Sequence, residues 1–244
     1  MRFTNKICLI TGGTSGIGRA ACVRLGAEGG TVIALGRDKV DGAETVKLIT
    51  KAGGKAVFMA CDLAKPAAII ATVKKVVAKY QRIDVLVCDA AMMTFEPLVD
   101  LPLEKWDLLM LVNLRSLAQL TQLCLPHMLA GSAIVAISSV HAHQTTANVV
   151  PYATSKGALE AFVRGMSIEL PRQQTRINAV APGAVDTPML WSNPNVKSGT
   201  EKIDKASVGT PEELAAAIAF MASSEASFIH GTTLVVDGGR LAQL

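Results

Sequence analysis

Tyr152 and Lys156 stand four residues apart in the run Pro151-Tyr152-Ala153-Thr154-Ser155-Lys156-Gly157, and Ser139 closes an apolar run upstream. On a helix, positions i and i+4 share a face, so the ammonium of Lys156 is expected beside the phenol of Tyr152. An unperturbed tyrosine titrates at about 10, too high for proton exchange near neutrality, and a neighbouring cation favours the phenolate. The chemistry on offer is proton transfer by a hydroxyl acid or base, with Ser139 as a second hydroxyl that orients the reacting oxygen. Taken alone, a Tyr-x-x-x-Lys pair is more often a core tyrosine beside a solvated helix charge. The other end of the chain reverses that preference.

The first apolar run is followed by Thr11-Gly12-Gly13-Thr14-Ser15-Gly16-Ile17-Gly18 and then a helical pattern. Gly12, Gly16 and Gly18 allow a tight turn, close approach of backbone to a pyrophosphate and packing of helix on sheet, while the helix N-terminus offers amide donors. The second run ends Leu35-Gly36-Arg37-Asp38. A carboxylate there would bond the adenosine ribose hydroxyls and repel a 2′-phosphate. Gly36 supplies none and Arg37 can pair with phosphate, so NADP is expected in preference to NAD. The plainer alternative has Arg37 stacked on the adenine or facing solvent and Asp38 capping the next helix. Asp62, in Cys61-Asp62-Leu63, suits the adenine amino group or a helix cap.

These residues are positioned by a strand and helix alternation that runs from end to end. Strands are predicted near 6–10, 31–35, 55–60, 83–88, 133–138, 176–180 and 232–236, and helices near 16–28, 39–52, 65–79, 103–130, 153–170 and 211–223. Parallel strands need crossover helices, so the pattern implies an α/β fold with a doubly wound parallel sheet. The 244 residues suit one domain spanning 1–244, and the weakly periodic stretch 188–210 after the sixth strand is expected to form a substrate lid.

Hydrophobic residues make up 50% of the chain and charged ones 18%, which points to burial against further copies of itself. The net charge of +4 is spread without a basic block, so no nucleic-acid partner is expected. No uninterrupted apolar run reaches the ~18–20 residues of a membrane span, and Met1 to Lys6 lead directly into the first strand. Cys8, Cys22, Cys61, Cys88 and Cys124 form no Cys-x-x-Cys pair and read as reduced thiols of a cytoplasmic protein. The four histidines make no metal-ligand set.

With the glycine loop, Asp62, Asn113, Ser139, Tyr152, Lys156 and Pro182-Gly183-Ala184-Val185-Asp186-Thr187 in this order, the chain resembles a short-chain dehydrogenase/reductase over nearly its whole length. The resemblance implies a Rossmann-like sheet of seven strands in the order 3-2-1-4-5-6-7, and commonly a homotetramer; a homodimer is not distinguished from it. It implies cofactor contacts from Gly12, Thr14, Ser15, Gly16, Ile17 and Gly18, from Arg37, Asp62 and Leu63, and from Asp89, Ala90 and Ala91 after the fourth strand. Pro182, Gly183, Val185 and Thr187 complete the set, the Val185 backbone and Thr187 hydroxyl holding the nicotinamide carboxamide.

The catalytic set implied is Asn113, Ser139, Tyr152 and Lys156. Tyr152 would exchange the proton, Ser139 would bond the same substrate oxygen, and Lys156 would depress the tyrosine and hold the nicotinamide ribose. Asn113 would hold a water in a proton relay. Ser138 competes with Ser139, since neighbours on a strand face opposite ways, and the family's thirteen-residue step to the tyrosine selects Ser139. His141 and His143 are read as loop polar groups or substrate contacts. One departure stands out: the family's Asn-Asn-Ala-Gly after the fourth strand is Cys88-Asp89-Ala90-Ala91 here.

The function implied is hydride transfer between a nicotinamide cofactor and a ketone, aldehyde or secondary alcohol. A 3-oxoacyl thioester reductase, with Lys105, Arg115 and Arg172 available for an acidic carrier, and a sugar or polyol dehydrogenase are the rivals within the class. A nucleotide-sensing module without turnover is the rival outside it.

Overall fold

Apolar side chains alternate along the short runs and so leave the backbone on opposite sides, which requires cover on both faces. A computed structural model describes residues 1–243; Leu244, the last residue of the expected 1–244 domain, lies outside them. The strands are β1 (Ile7–Thr11), β2 (Thr31–Gly36), β3 (Lys55–Ala60), β4 (Val85–Cys88), β5 (Ser132–Ile137), β6 (Thr175–Pro182) and β7 (Thr233–Val236). All pair in parallel, in the order β3-β2-β1-β4-β5-β6-β7. The helices are α1 (Gly16–Ala27), α2 (Lys39–Lys51), α3 (Pro66–Tyr80), α4 (Leu103–Met110), α5 (Ser116–Cys124), α6 (Val150–Glu169), α7 (Pro188–Ser192), α8 (Pro194–Lys197) and α9 (Pro211–Ala222). This is the expected Rossmann-like doubly wound arrangement.

Register turns the alternation into two cores. Ile33, Leu9, Leu86, Ile134 and Ile177 lie side by side across β2, β1, β4, β5 and β6 as one fully buried row, covered by Ile69 and Val73 of α3, Leu117 and Leu120 of α5 and Leu159 of α6. One step along, Ala34, Ile10, Val87 and Val135 form the opposite row, beneath Leu25 of α1 and Leu214 and Ile218 of α9. Each fully buried Leu or Ile contributes roughly 1.5–3 kcal/mol relative to exposure. All five cysteines are buried and free.

Local chemistry sets the helix ends. Asp38 caps α2 by accepting from the Asp41 amide at 2.9 Å, the plainer of the two roles open to it. Thr210 and Glu213 form a reciprocal capping box at α9, with Pro211 in the first turn. Ser15 precedes α1 without a side-chain cap, leaving that N-terminus for another acceptor.

Two expectations are corrected. The helix predicted over 103–130 is interrupted by a π turn at Leu111–Arg115 and closes in a tight turn at Leu125–His127, because Pro126 has no amide to continue the ladder. By length and mean hydropathy the whole helical stretch Leu103–His127 would reach across a bilayer, although no single uninterrupted apolar run does. Leu109, Leu117, Leu120 and Cys124 are buried within the fold, while Leu103 and Leu108 of the same stretch are exposed. The stretch 188–210 is also more ordered than its weak periodicity suggests. Thr187 caps α7 by accepting from the Leu190 amide, Asn193 caps α8 by accepting from the Asn195 amide, and a bridge between Val185 and Gly209 ties the two ends of the segment together.

Leu86 sits at the centre of the buried row, so Leu86→Ala is expected to cost 2–5 kcal/mol through lost transfer energy and an unfilled cavity. Urea denaturation should show the midpoint falling with little change in slope.

Candidate active site

Strands of one polarity bring their C-terminal ends to one edge, and a continuous cleft runs along that edge. At the end of β1 the backbone of Gly12 has φ +70° and that of Gly16 φ +50°, conformations that favour glycine. A Cβ on Gly12 would stand 2.9 Å from the Ala90 amide nitrogen, and one on Gly18 only 2.3 Å from the Gly12 carbonyl oxygen. The loop thus lies flat over the β4 end, with the uncapped start of α1 facing the cleft. Thr11 fixes the β4 end, its Oγ1 accepting from the amides of Asp89 (3.0 Å) and Ala90 (3.1 Å). Thr14, Ser15 and Ile17 line the cleft beside the glycines. A cradle that a side chain would fill, with free helix amides, fits the phosphates of a dinucleotide.

Asp89 turns its carboxylate inward beneath this cradle. Its Oδ2 lies 2.6 Å from where a Cβ on either Gly12 or Gly18 would stand, and the carboxylate accepts from the Gly18 amide. Burial pushes the group up to about 7, against the pull of Lys156 and of that amide. The methyl group of Ala91 is accommodated, packing with Met92 and Met93 against Leu109, Val149 and Tyr152.

Further along the edge, β5 and α6 bring the proton-transfer groups together. Ser139 lies beside the Tyr152 phenol, which its hydroxyl pulls toward the ionised form, and its Oγ accepts from the His141 amide at 3.2 Å. Ser138 points the other way, donating to Glu160 Oε1 at 2.7 Å, so Ser139 is the hydroxyl beside the phenol. His143 pairs with the same Glu160 oxygen at 3.2 Å and does not line the cleft, whereas His141 does. Lys156 is buried on the turn of α6 after Tyr152, its Nζ donating to the Ile137 carbonyl at 2.6 Å and lying 5.4 Å from the Tyr152 ring centroid. Burial lowers Lys156 to about 8, opposed chiefly by Asp89.

The expected depression of Tyr152 is reversed. Burial pushes the phenol up to about 12, with the Ser139 hydroxyl opposing and the Asp89 charge adding to it. Asn113 is held by its side chain in the turn between α4 and α5. The π turn rotates its amide inward to accept from the Met92 amide (2.8 Å) and donate to the Met92 carbonyl (2.9 Å) and Ser155 Oγ (3.1 Å), so both of its protons are engaged. Ser155 in turn donates to the Tyr152 carbonyl at 2.7 Å. Asn113 therefore clamps the loop after β4 to the helix that carries the tyrosine.

At the β2 end, exposed Arg37 lines the cleft with Asp62 and Leu63. A Cβ on Gly36 would stand 2.4 Å from Thr14 Cγ2, so the glycine loop itself excludes a carboxylate-bearing side chain at that position. Asp62 accepts from the Ala64 amide at 3.1 Å, a turn-forming bond that leaves its other oxygen 3.8 Å from Lys65 Nζ. Pro182, Gly183, Val185 and Thr187 line the opposite wall, and Thr187 Oγ1 both caps α7 and donates to the Val185 carbonyl at 3.2 Å. Spacing alone does not show the lining residues Met92, Met93, Met189, Asn193, Glu201 and Arg240. They sit in loops and in the short α7, without a motif, and meet only through the fold.

A family model described as enoyl-(acyl carrier protein) reductase (adh_short_C2) matches residues 12–240. The 3-oxoacyl-[acyl-carrier-protein] reductase FabG of Thermotoga maritima is 37% identical over 243 residues, covering 98% of this chain and 99% of that protein. A short-chain dehydrogenase from Burkholderia cenocepacia in complex with NADP superposes with a TM-score of 0.91 at 30% identity, covering 98% of each chain. A 7α-hydroxysteroid dehydrogenase complexed with NADH and 7-oxo glycochenodeoxycholic acid does so with 0.90 at 29%, covering 98% of this chain and 95% of that one. The chain belongs to the short-chain dehydrogenase/reductase family. It is an NAD(P)-dependent oxidoreductase acting on alcohol and ketone groups.

The buried carboxylate has a measurable consequence. An unfolded aspartate titrates at about 3.9 and native Asp89 at about 7, so the native state holds the proton more tightly. The stabilisation this confers is complete below pH ~4 and is lost as the pH rises through about 7. Asp89→Asn should therefore lose this pH dependence, so that its stability relative to the parent is higher at about pH 8 than at about pH 5. Urea midpoints at the two pH values check this; a constant difference would contradict it.

Proposed function

We propose that this enzyme is an NADPH-preferring reductase of ketones or aldehydes, running as an alcohol dehydrogenase in reverse, with Tyr152 as the acid. The observation that carries the reading is that Tyr152, Ser139 and Lys156 line the same cleft as the glycine cradle. A phenol held near 12 stays protonated at neutral pH, the state required to give a proton to a carbonyl oxygen. The nicotinamide cofactor, when bound, supplies the hydride. Ser139 holds the carbonyl oxygen, and Lys156, anchored on Ile137, places its charge between Asp89 and the ribose hydroxyls it is assigned to bond. Asn113 fixes the helix that positions both. Val185 and Thr187 orient the carboxamide, and the 188–210 segment closes over the substrate as a lid.

Arg37 and the crowded Gly36 support the NADP preference, since one can pair with a 2′-phosphate and the other leaves no room for the competing carboxylate. The NADP and NADH complexes of the two related structures fit a family that uses either. An acyl carrier as partner has less support, although FabG is similar. Lys105 pairs with Glu96, Arg115 bonds Gln119, Arg172 bonds the Ser227 carbonyl, and none of the three lines the cleft. Exposed Leu103 and Leu108, with an apolar groove at Met110, Leu114, Ala158 and Phe162, support pairing of copies through α4, α5 and α6. The buried free thiols suit a reducing compartment.

Tyr152→Phe should lower carbonyl reduction by at least ~100-fold while NADPH binding, read from its fluorescence, stays near the parental value. Parental turnover would remove Tyr152 from the acid role. Arg37→Ala should weaken NADPH far more than NADH in the same titration, and equal losses would refute the phosphate contact.

A further inference from the structure

Beyond Tyr152, away from the glycine cradle, the cleft ends in polar groups that the hydride transfer does not use. Arg240 Nη2 donates to Glu201 Oε1 at 3.1 Å, and both residues line the cleft that holds Tyr152 and Ser139. Glu201 is 7% exposed, while the Arg240 side chain is 27% exposed. Glu201 comes from the 188–210 segment, where its Oε2 accepts from buried Asn193 Nδ2 at 3.3 Å and its amide donates to the Asn195 carbonyl at 2.9 Å. Arg240 follows β7 on a turn in which Gly238 and Gly239 both have positive φ, and Asp237 holds that turn by accepting from the amides of Gly239 (2.9 Å) and Leu241 (2.8 Å). Two distant segments are thus tied together at one end of the substrate space by a single ion pair.

His141 links this end to the reacting end. Its ring meets the Tyr152 ring edge-on with centroids 5.8 Å apart, and it lies within the fields of Glu201 and Arg240. Its Nδ1 pairs with Thr145 Oγ1 at 3.0 Å, and among the described residues its Nε2 has no partner. Burial lowers the imidazole, which keeps it neutral at neutral pH. Met92, Met93, Val112, Met189 and Leu190 line the cleft between and around these groups.

Charge bookkeeping then selects the ligand. Arg240 and Glu201 cancel and His141 adds nothing, so this end is polar with no net charge. Among the described residues Arg240 Nε and Nη1 have no acceptor, which leaves donors for an incoming oxygen. A hydroxyl or carbonyl oxygen can take them without disturbing the pair. A carboxylate would face Glu201 in a partly desolvated cleft, where like charges repel more strongly than in water. Resting on the carbonyl-reductase reading above, we infer that Arg240, Glu201 and His141 form a recognition site for a second, uncharged oxygen of the substrate, making this an enzyme for hydroxyketones, diketones or the matching diols with an apolar body, and against keto acids.

The test uses the full-length protein with NADPH and apolar ketones of graded length that end in methyl, hydroxyl or carboxylate. Turnover is read as kcat/KM, and binding of the matching alcohols with NADP present is read by calorimetry. At the best length the hydroxyl compound should exceed the methyl compound by roughly tenfold or more, with the carboxylate lowest. Arg240→Met should bring the hydroxyl to methyl ratio close to one, and Glu201→Gln should raise the carboxylate roughly tenfold. The double variant R240M/E201Q removes the pair without leaving a buried charge alone, and thermal melts establish which variants fold. The unsubstituted protein's own ranking decides the matter should none of them do so. A wild-type preference for carboxylate or methyl, or folded variants that keep the parental ratios, would overturn the inference. Hydroxyl-selective binding without turnover of any ketone would support the site and defeat the reductase reading, whereas turnover blind to the distal group would do the reverse.

Discussion

The hydrogen bond from Lys156 Nζ to the Ile137 carbonyl, 2.6 Å long and buried, joins the first turns of α6 to the end of β5. It sets the height at which Tyr152 meets Ser139, one helical turn from the lysine and two residues past Ile137. Ser138 adds a second tie to the same helix through Glu160. The strand's alternation does the rest, because a residue that points into α6 obliges its neighbour to face the cleft.

A balance of buried charge surrounds that contact. Asp89 and Lys156 are each held away from their ionised states by burial and toward them by one another. Tyr152 stands nearby and is kept protonated by the same burial and by the Asp89 field. An amide at position 89 could also bond the Gly18 amide through its oxygen, but it would carry no charge and leave Lys156 less strongly attracted. The aspartate therefore makes the electrostatics of the proton-transfer site continuous with the floor of the glycine cradle. Loop and catalytic helix are coupled through a carboxylate, where packing alone would leave them independent.

The cleft divides by the origin of its walls. One half is built from strand ends and the loops directly attached to them, so its geometry follows from the sheet. The other half is built from the π turn, the 188–210 segment and the turn after β7, which are held by caps, a short bridge and one ion pair. Chemistry common to the family belongs to the rigid half. Glu201 and Arg240, the groups proposed to read the substrate's second oxygen, belong to the other half.

Much of this was legible in the residues themselves. Alternation and β-branching located all seven strands, and the four-residue spacing placed Tyr152 and Lys156 on one face of a helix, because each depends on local geometry with a fixed period. Strand order and the four-residue catalytic set came through the resemblance. The sequence pattern read the long fourth helix as continuous, since a π turn leaves no mark in apolar periodicity. It did not anticipate the net direction of the Tyr152 shift, because that depends on burial and on the charges that arrive from other elements. The pairing of Glu201 with Arg240, the clamp formed by Asn113 and the inward carboxylate of Asp89 were settled by tertiary structure alone. Each joins residues far apart in the chain, and a one-dimensional order of side chains does not contain the distances across which charges and hydrogen bonds act.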